Sequence, residues 1–199
     1  MEFHPSSLPP EDVRELSDEE LVIRCQGELP HIFWGYRELL RRYEPMIFSF
    51  CLRLLKARED AEEVTQDSFL VVFHQIHKLQ NAGAFRTWIF RVAQNECRDR
   101  FAKLKRKQEM QEAYEAMREK EIEEAAVDDA FDDHKDRLNT ALAKLTEKDR
   151  EIVVLRFVSG LKLDEIAEVL EIGLSATKMR LQRAMEELKQ HFTGMGGIA

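Results

Sequence analysis

The chain is poor in the residues that break helices or build other folds. It has 199 residues but only 8 Gly and 5 Pro. No stretch shows the apolar–polar alternation that a half-buried strand requires. We therefore predict an all-α protein.

Other absences narrow the class of protein. No run of about 18 apolar residues could cross a bilayer, and the N-terminal MEFHPSSLPPED lacks the apolar core of a signal peptide. We expect a cytoplasmic protein without membrane insertion. A Gly-rich phosphate loop and a nucleophile–base set are also missing, so we predict no enzymatic activity and no cofactor.

The cysteines and histidines do not indicate a metal site. Cys25, Cys51 and Cys97 have no metal-ligand spacing and sit within apolar helical patterns, as expected of buried thiols in a reducing compartment. His74 and His77 lie three residues apart, but no third ligand is evident. We interpret them as surface or packing residues.

One segment, Phe85–Lys107, has a charge opposite to that of the whole chain. It carries eight cations and two acids, a local charge of +6, whereas the chain totals −8. A basic face on an acidic protein indicates a polyanionic partner, although a solvated amphipathic helix would look similar. Trp88 and Asn95, two turns apart on one side of this helix, favour nucleic acid because unstacked bases need a π-face and edge hydrogen bonds.

An acidic helix precedes this basic one, over residues 60–79. Its first two turns contain Asp60, Glu63 and Gln66. Acids at this end suit the helix dipole, which would explain them without any partner. The alternative is an acidic and amide surface for a basic partner helix.

Changes in composition divide the chain into two small helical domains. We expect residues 1–15 to be disordered, 16–107 to form the first domain and 137–192 the second, followed by a flexible tail over 193–199. Residues 108–136 contain twelve acids and three cations, a charge of −9. We interpret this segment as an acidic flexible linker; it could also occupy a cationic surface as a nucleic-acid mimic.

The second domain has the pattern of a helix-turn-helix. Thr146 caps one helix, LDEIAEVL forms the next, and a turn containing Gly173 leads to a last helix that Ser175 caps. We expect the wedge between the helices to contain Ile166, Leu170, Ile172, Met179 and Ala184. The polar residues near the N-terminal half of the last helix would enter a major groove; they are Thr177, Lys178, Arg180 and Arg183.

Three stretches together resemble the extracytoplasmic-function (ECF, group 4) sigma factors of the bacterial sigma-70 family. DAEEVTQDSFLVVF is similar to the segment that binds core RNA polymerase. FRTWIFRVAQNECRDR is similar to the segment that melts and reads the −10 promoter element, and LDEIAEVLEIGLSATKMRLQRAMEEL to the domain that reads the −35 element. The resemblance implies a non-catalytic subunit that directs core polymerase to promoter DNA and helps to melt the −10 element.

The resemblance also implies roles for individual residues. Asp60, Glu63 and Gln66 would bind core polymerase. The expected −10 contacts are Arg86, Trp88, Arg91, Asn95, Arg98 and Lys103, where Trp88 could equally be structural. The expected −35 contacts are Ser175, Thr177, Lys178, Arg180 and Arg183.

The sequence departs from the family pattern at a few places. Leu79 and Asn81 stand where an aromatic and a Gly are usual, and Met179 and Met185 replace a small polar residue and an Arg. These departures affect the identity of the bases that are read.

Two further hypotheses remain open. The protein could be controlled by an anti-sigma protein that wedges between the two domains. The alternative function is an autonomous helix-turn-helix transcriptional regulator.

Overall fold

The computed structural model describes residues 11–116 and 140–193, and these residues form helices and turns without a strand. The prediction of an all-α fold is confirmed. Helices also begin where the sequence provides caps. Ser17 Oγ accepts a hydrogen bond from the Glu20 amide at 3.3 Å, and Glu20 Oε2 accepts one from the Ser17 amide at 2.7 Å. Thr146 Oγ1 likewise accepts from the Asp149 amide at 3.2 Å.

The described residues form two modules. The N-terminal module comprises a 3₁₀ turn Glu11–Arg14, α1 Asp18–Glu28, α2 Trp34–Leu55, α3 Arg58–Gln75, 3₁₀ turns Ile76–Lys78 and Ala82–Ala84, and α4 Phe85–Ala116. The C-terminal module comprises a short helical stretch over 140–144, α5 Glu147–Phe157, α6 Leu163–Leu170 and α7 Leu174–Thr193.

Two boundaries differ from the sequence-based ones. Val13 is buried in the first 3₁₀ turn, so ordered structure begins before residue 16. Helix α4 runs to Ala116 and thus extends beyond the expected end of the domain at 107. The other expected linker residues, 117–136, and the tail after Thr193 lie outside the described residues.

The core of the N-terminal module is aromatic and fixes α4 against α2. Phe50 on α2 and Phe90 on α4 meet edge to face, with ring centroids 5.7 Å apart, and Tyr43 and Phe85 do so at 5.1 Å. These aromatic contacts determine which side of α4 is left for other partners. All three cysteines are free and buried, as the sequence indicated.

A polar network holds α1 against α2. Glu38 is buried and accepts hydrogen bonds from Arg41 Nη2 at 2.7 Å and Arg42 Nε at 2.8 Å, while Arg42 Nη1 reaches Asp18 at 2.8 Å. The hydrogen bond from Arg41, with that from Arg42, lowers the pKa of Glu38 to about 2. The carboxylate is therefore charged at neutral pH and holds both guanidinium groups.

The turn of the helix-turn-helix contains Gly173, as predicted, and Glu171 at its start adopts the left-handed conformation, with φ at 55°. The cap and one wedge residue differ from the prediction. Helix α7 begins at Leu174, so Ser175 lies inside its first turn and is not the cap. Ile166, Leu170 and Ala184 are buried as predicted, but Met179 is 74% exposed and does not belong to the wedge.

The two modules are packed against each other. Arg86 Nη2 on α4 donates to the Ser159 carbonyl oxygen after α5 at 2.7 Å. At the other end of the interface, Arg150 Nη1 on α5 donates to the Leu54 carbonyl oxygen near the end of α2 at 3.4 Å. The first contact places the turn after α5 beside the helix that carries the basic segment, and the second places α5 beside α2. Helix α6 also packs against α4.

Candidate nucleic-acid and polymerase interface

One face of α4 combines an indole, an amide and a guanidinium. Successive residues of a helix are rotated by about 100°, so Trp88, Arg91 and Asn95 fall within roughly 60° of each other. Asn95 is exposed, and the other two side chains are half-buried. Arg91 Nε is buried and, within the described part of the chain, has no hydrogen-bond partner. The face therefore offers groups for stacking, base edges and phosphate.

The Trp88 side chain packs partly against the core of the N-terminal module and is partly exposed. Its ring lies 6.0 Å from that of Phe85 at an interplanar angle of 52°, and Phe85 is buried in the core. The rest of the indole reaches the surface on the side of α4 that also carries Asn95. A structural role and a stacking role are therefore compatible in this residue.

The other expected −10 contacts lie at the edges of this face or away from it. Arg98 is about 20° round the helix from Arg91, and its Nη2 lies 3.7 Å from Glu151 Oε1 of α5. Lys103 is exposed, about 80° round the helix from Asn95. Arg86 points toward the C-terminal module, where it binds the Ser159 carbonyl. The structure thus groups three of the six residues, places Arg98 and Lys103 at the edges of the group and directs Arg86 elsewhere.

The acidic start of α3 is paired within its own module. Arg100 on α4 donates from Nε to Asp60 Oδ1 at 2.8 Å and from Nη1 to Glu63 Oε1 at 3.0 Å. The hydrogen bond to Asp60 is the main factor that raises the pKa of Arg100. Since Asp60 is only half-buried and Glu63 is exposed, the cluster remains at the surface.

Leu70 extends this α3 surface and was missed from the sequence. It is 55% exposed and stands one turn after the exposed Gln66. The signal was present, because Leu70 falls off the apolar stripe formed by Val64, Phe69 and Val72. An exposed Leu among acids and amides suits a protein partner.

On α7 the structure differs from the prediction at Thr177. This residue is 0% exposed, and its Oγ1 donates to the Gly173 carbonyl oxygen at 3.1 Å. It therefore fastens the turn and has no free atom to contact DNA. Lys178 and Ser175 are exposed.

The two arginines of α7 lie in different environments. Arg180 is half-buried; it donates to the Lys148 carbonyl, and its guanidinium lies 3.8 Å from Asp149 and 3.5 Å from Glu151. The Arg183 side chain is 71% exposed, and among the described residues it contacts Asp149 at 3.7 Å. Arg183 is therefore free to reach a phosphate, whereas Arg180 braces α7 against α5.

Comparison with known proteins identifies both modules. Residues 39–107 match the family described as Sigma-70 region 2, and residues 135–188 match Sigma-70, region 4. The chain belongs to the sigma-70 family of RNA polymerase sigma factors. Its similarity to curated relatives makes it, more narrowly, a sigma factor of the ECF type, which is a transcription initiation factor and not an enzyme.

Among these relatives is the ECF sigma factor SigW of Bacillus subtilis, 25% identical over 164 residues, which cover 78% of this chain and 88% of SigW. RpoE of Cereibacter sphaeroides is 27% identical over 160 residues, which cover 80% of this chain and 87% of RpoE.

Solved structures share the fold. CnrH in complex with the cytosolic domain of CnrY gives a TM-score of 0.68 at 22% identity, covering 90% of this chain and 99% of that one. RpoE in complex with the anti-sigma factor NepR from Bartonella quintana gives 0.65 at 21% identity, covering 79% and 96%. Within the described residues, no helix is long and apolar enough to span a membrane.

Proposed function

We propose that this sigma factor docks α3 on core RNA polymerase, places α4 at the −10 element and places α7 at the −35 element of promoter DNA. The face formed by Trp88, Arg91 and Asn95 carries the proposal. It offers stacking, base-edge and phosphate-binding groups on one side of a helix that the aromatic core holds firmly. Asn95 would contact an unstacked base, and Trp88 would support it.

The free energy of separating the DNA strands requires core polymerase to contribute to promoter opening. Separating duplex DNA costs on the order of 1.4 kcal/mol per base-pair step. Stacking one base on an aromatic side chain returns about 1–3 kcal/mol. A protein of net charge −8 with one such face cannot open several base pairs alone. Its cationic faces would act only when polymerase holds them over the promoter.

The exposed side of α3 is the proposed docking face for core polymerase. Gln66 and Leu70 would form its centre, and Glu63 its acidic edge. Asp60 is largely occupied by Arg100, so we assign it the role of orienting the cluster. Leu70→Ala should weaken core binding by about tenfold, because it removes an apolar side chain that the complex would bury.

The proposed −35 face consists of exposed residues of α7. They are Ser175, Lys178, Met179 and Arg183. Thr177 and Arg180 would hold the helix in place from behind. Because the N-terminal half of a recognition helix meets the base edges, Met179 would contact bases, and an apolar side chain there suits the methyl group of thymine.

We also propose that the protein acts in the cytoplasm, where a protein inhibitor controls it. We further propose that it belongs to group 4 of the sigma-70 family. A solved relative, RpoE of Bartonella quintana, is bound to the anti-sigma factor NepR. Affinity purification of this chain from its host should recover a second protein besides polymerase subunits. Recovery of polymerase alone under non-inducing conditions would contradict the inhibitor.

Run-off transcription tests the function. Core polymerase with this chain should produce a transcript from promoters selected out of a genomic library, and core polymerase alone should not. Gln80→Ala, which changes an exposed residue between α3 and α4, should behave like the parent. Equal transcript patterns with and without the chain would refute the proposal.

A further inference from the structure

A buried hydrogen bond joins the two modules at the helix that would read the −10 element. Gln94 on α4 is 1% exposed, and its Nε2 donates to Glu151 Oε1 on α5 at 2.7 Å. Glu151 is also buried. Gln94 stands next to Asn95 in sequence but faces the C-terminal module, whereas Asn95 faces solvent.

The same carboxylate faces a cation from each of the two DNA-reading helices. Arg98 Nη2 of α4 lies 3.7 Å from Glu151 Oε1, and Arg180 Nη2 of α7 lies 3.5 Å from Glu151 Oε2. An anionic group between arginines of two DNA-reading helices resembles a backbone phosphate in charge and in hydrogen-bonding capacity. Nearby, Arg86 is held by the Ser159 carbonyl at 2.7 Å.

The junction leaves several polar atoms unsatisfied. Arg86 Nε, Gln94 Oε1 and Ser159 Oγ are buried and find no hydrogen-bond partner in the described parts of the chain. A buried polar atom without a hydrogen bond costs free energy, so these atoms reduce the net stability of the contact. A contact with this property is suited to opening when better partners arrive.

We propose that Glu151 keeps the two modules in a closed, self-inhibited state by taking the place of DNA phosphate against α4. In this state Arg86 and Arg98 are turned toward α5 and the residues that follow it. Separation of the modules exchanges these contacts for promoter DNA and allows the −10 and −35 faces to spread along it. The closed contact is a property of the free chain; only its inhibitory effect rests on the proposed function.

Gln94→Glu tests the contact in the full chain. It places a second carboxylate against Glu151, so at neutral pH the modules should separate and the radius of gyration from small-angle X-ray scattering should increase. The control is Gln75→Glu, the same substitution at an exposed position at the end of α3, which should leave the radius unchanged. Far-UV circular dichroism of all variants should show the parent's helix content.

A swapped pair distinguishes loss of this hydrogen bond from general damage. In the double variant Gln94→Glu with Glu151→Gln, the amide and carboxylate exchange places, and the compact dimensions should return. If Gln94→Glu stays as compact as the parent, or if the swapped pair stays as expanded as Gln94→Glu, the proposed contact does not hold the modules together.

Inhibition is measured separately, at low salt and without polymerase, by anisotropy with a fluorescent duplex that carries only a −35 element. Gln94 lies on α4 and outside the proposed −35 face, so a change in affinity reports release of the C-terminal module. Gln94→Glu should bind this duplex about tenfold more tightly than the parent, because the open state that can bind DNA is no longer a minor one. Equal affinities with different radii would refute inhibition, whereas failure to support transcription would refute the proposed function and leave the closed contact standing.

Discussion

The two DNA-reading helices differ in how firmly the rest of the fold fixes them. Helix α4 packs against α2 through aromatic pairs, pairs with α3 through Arg100 and touches α5 through Gln94, so its exposed face is determined by three neighbours. Helix α7 packs against α5 and α6 of its own module, and its buried stripe includes the polar Thr177. A helix held by an aromatic core shows its buried stripe clearly in the sequence, whereas a stripe that contains a polar residue is harder to recognise.

The sequence-based placement of side chains had different outcomes on the two helices. On α4 the pair Trp88 and Asn95 does lie on one accessible side, as spacing alone predicted. On α7 an assumed start at Ser175 accompanied the placement of Met179 in the wedge and Thr177 on the surface, and the structure reverses both. The buried stripe of α7 contains Thr177, Ala184 and Leu188, and Met179 lies about 140–180° round the helix from these residues.

The largest expected effect concerns the firmly held helix. Asn95→Ala should reduce open-complex formation by about tenfold or more, because a base-edge contact contributes roughly 1–3 kcal/mol. Binding to core polymerase should be unchanged. Permanganate footprinting of the −10 region measures the melting.

Gln80→Ala provides the control, since it removes another exposed amide of the same module. Parent-like permanganate reactivity for Asn95→Ala would remove Asn95 from the −10 face, and with it the main distinction between α4 and α7.

The two arginines of α7 should separate a supporting role from a DNA contact. Arg180→Ala should lower the free energy of unfolding by about 1–3 kcal/mol, because Asp149 and Glu151 lose a partner at a buried site. Arg183→Ala should leave stability unchanged and reduce the salt dependence of promoter binding by about one unit of slope. Urea unfolding and affinities over a salt series provide the measurements. The opposite assignment of effects would show that Arg180 is the phosphate contact.

Acid should weaken the polar network between α1 and α2. The lowered pKa of Glu38, about 2 against an ordinary value of 4.5, means that its contribution is complete above about pH 4.5 and is lost as the pH falls toward 2. Glu38→Gln should therefore cost about 1–2 kcal/mol of unfolding free energy at pH 7, and less at pH 3. Urea unfolding at both pH values, with the exposed Glu44→Gln as control, measures this. A cost that does not change with pH would contradict the role of the ionised carboxylate.

The smallest effect concerns the base contact of Met179. Replacing thymine by uracil in the selected −35 element removes only a methyl group, and it should weaken holoenzyme binding about threefold at the contacted position. The Met179→Ala protein should not sense this replacement. Met110→Ala, equally exposed on α4, should keep the parent's sensitivity. If uracil is tolerated at every thymine of the element, Met179 does not read a methyl group.

Much of this architecture could be predicted because it is local. The capping box at Ser17, the N-cap at Thr146, the buried thiols and the basic helix depend on residues a few positions apart. The pairing of Arg100 with Asp60 and the contact between Gln94 and Glu151 join residues 40 and 57 positions apart. No periodic pattern relates such positions, so the occupied acids of α3 and the closed junction became visible only in three dimensions.

The most direct test of the account compares this chain alone, core polymerase alone and both together on one promoter at physiological salt. We predict specific binding and permanganate-reactive thymines at −10 only when both are present. Sequence-specific binding by the free chain with affinity equal to that of the complex, or an unopened promoter in the presence of both, would contradict the claim that its cationic faces act through polymerase.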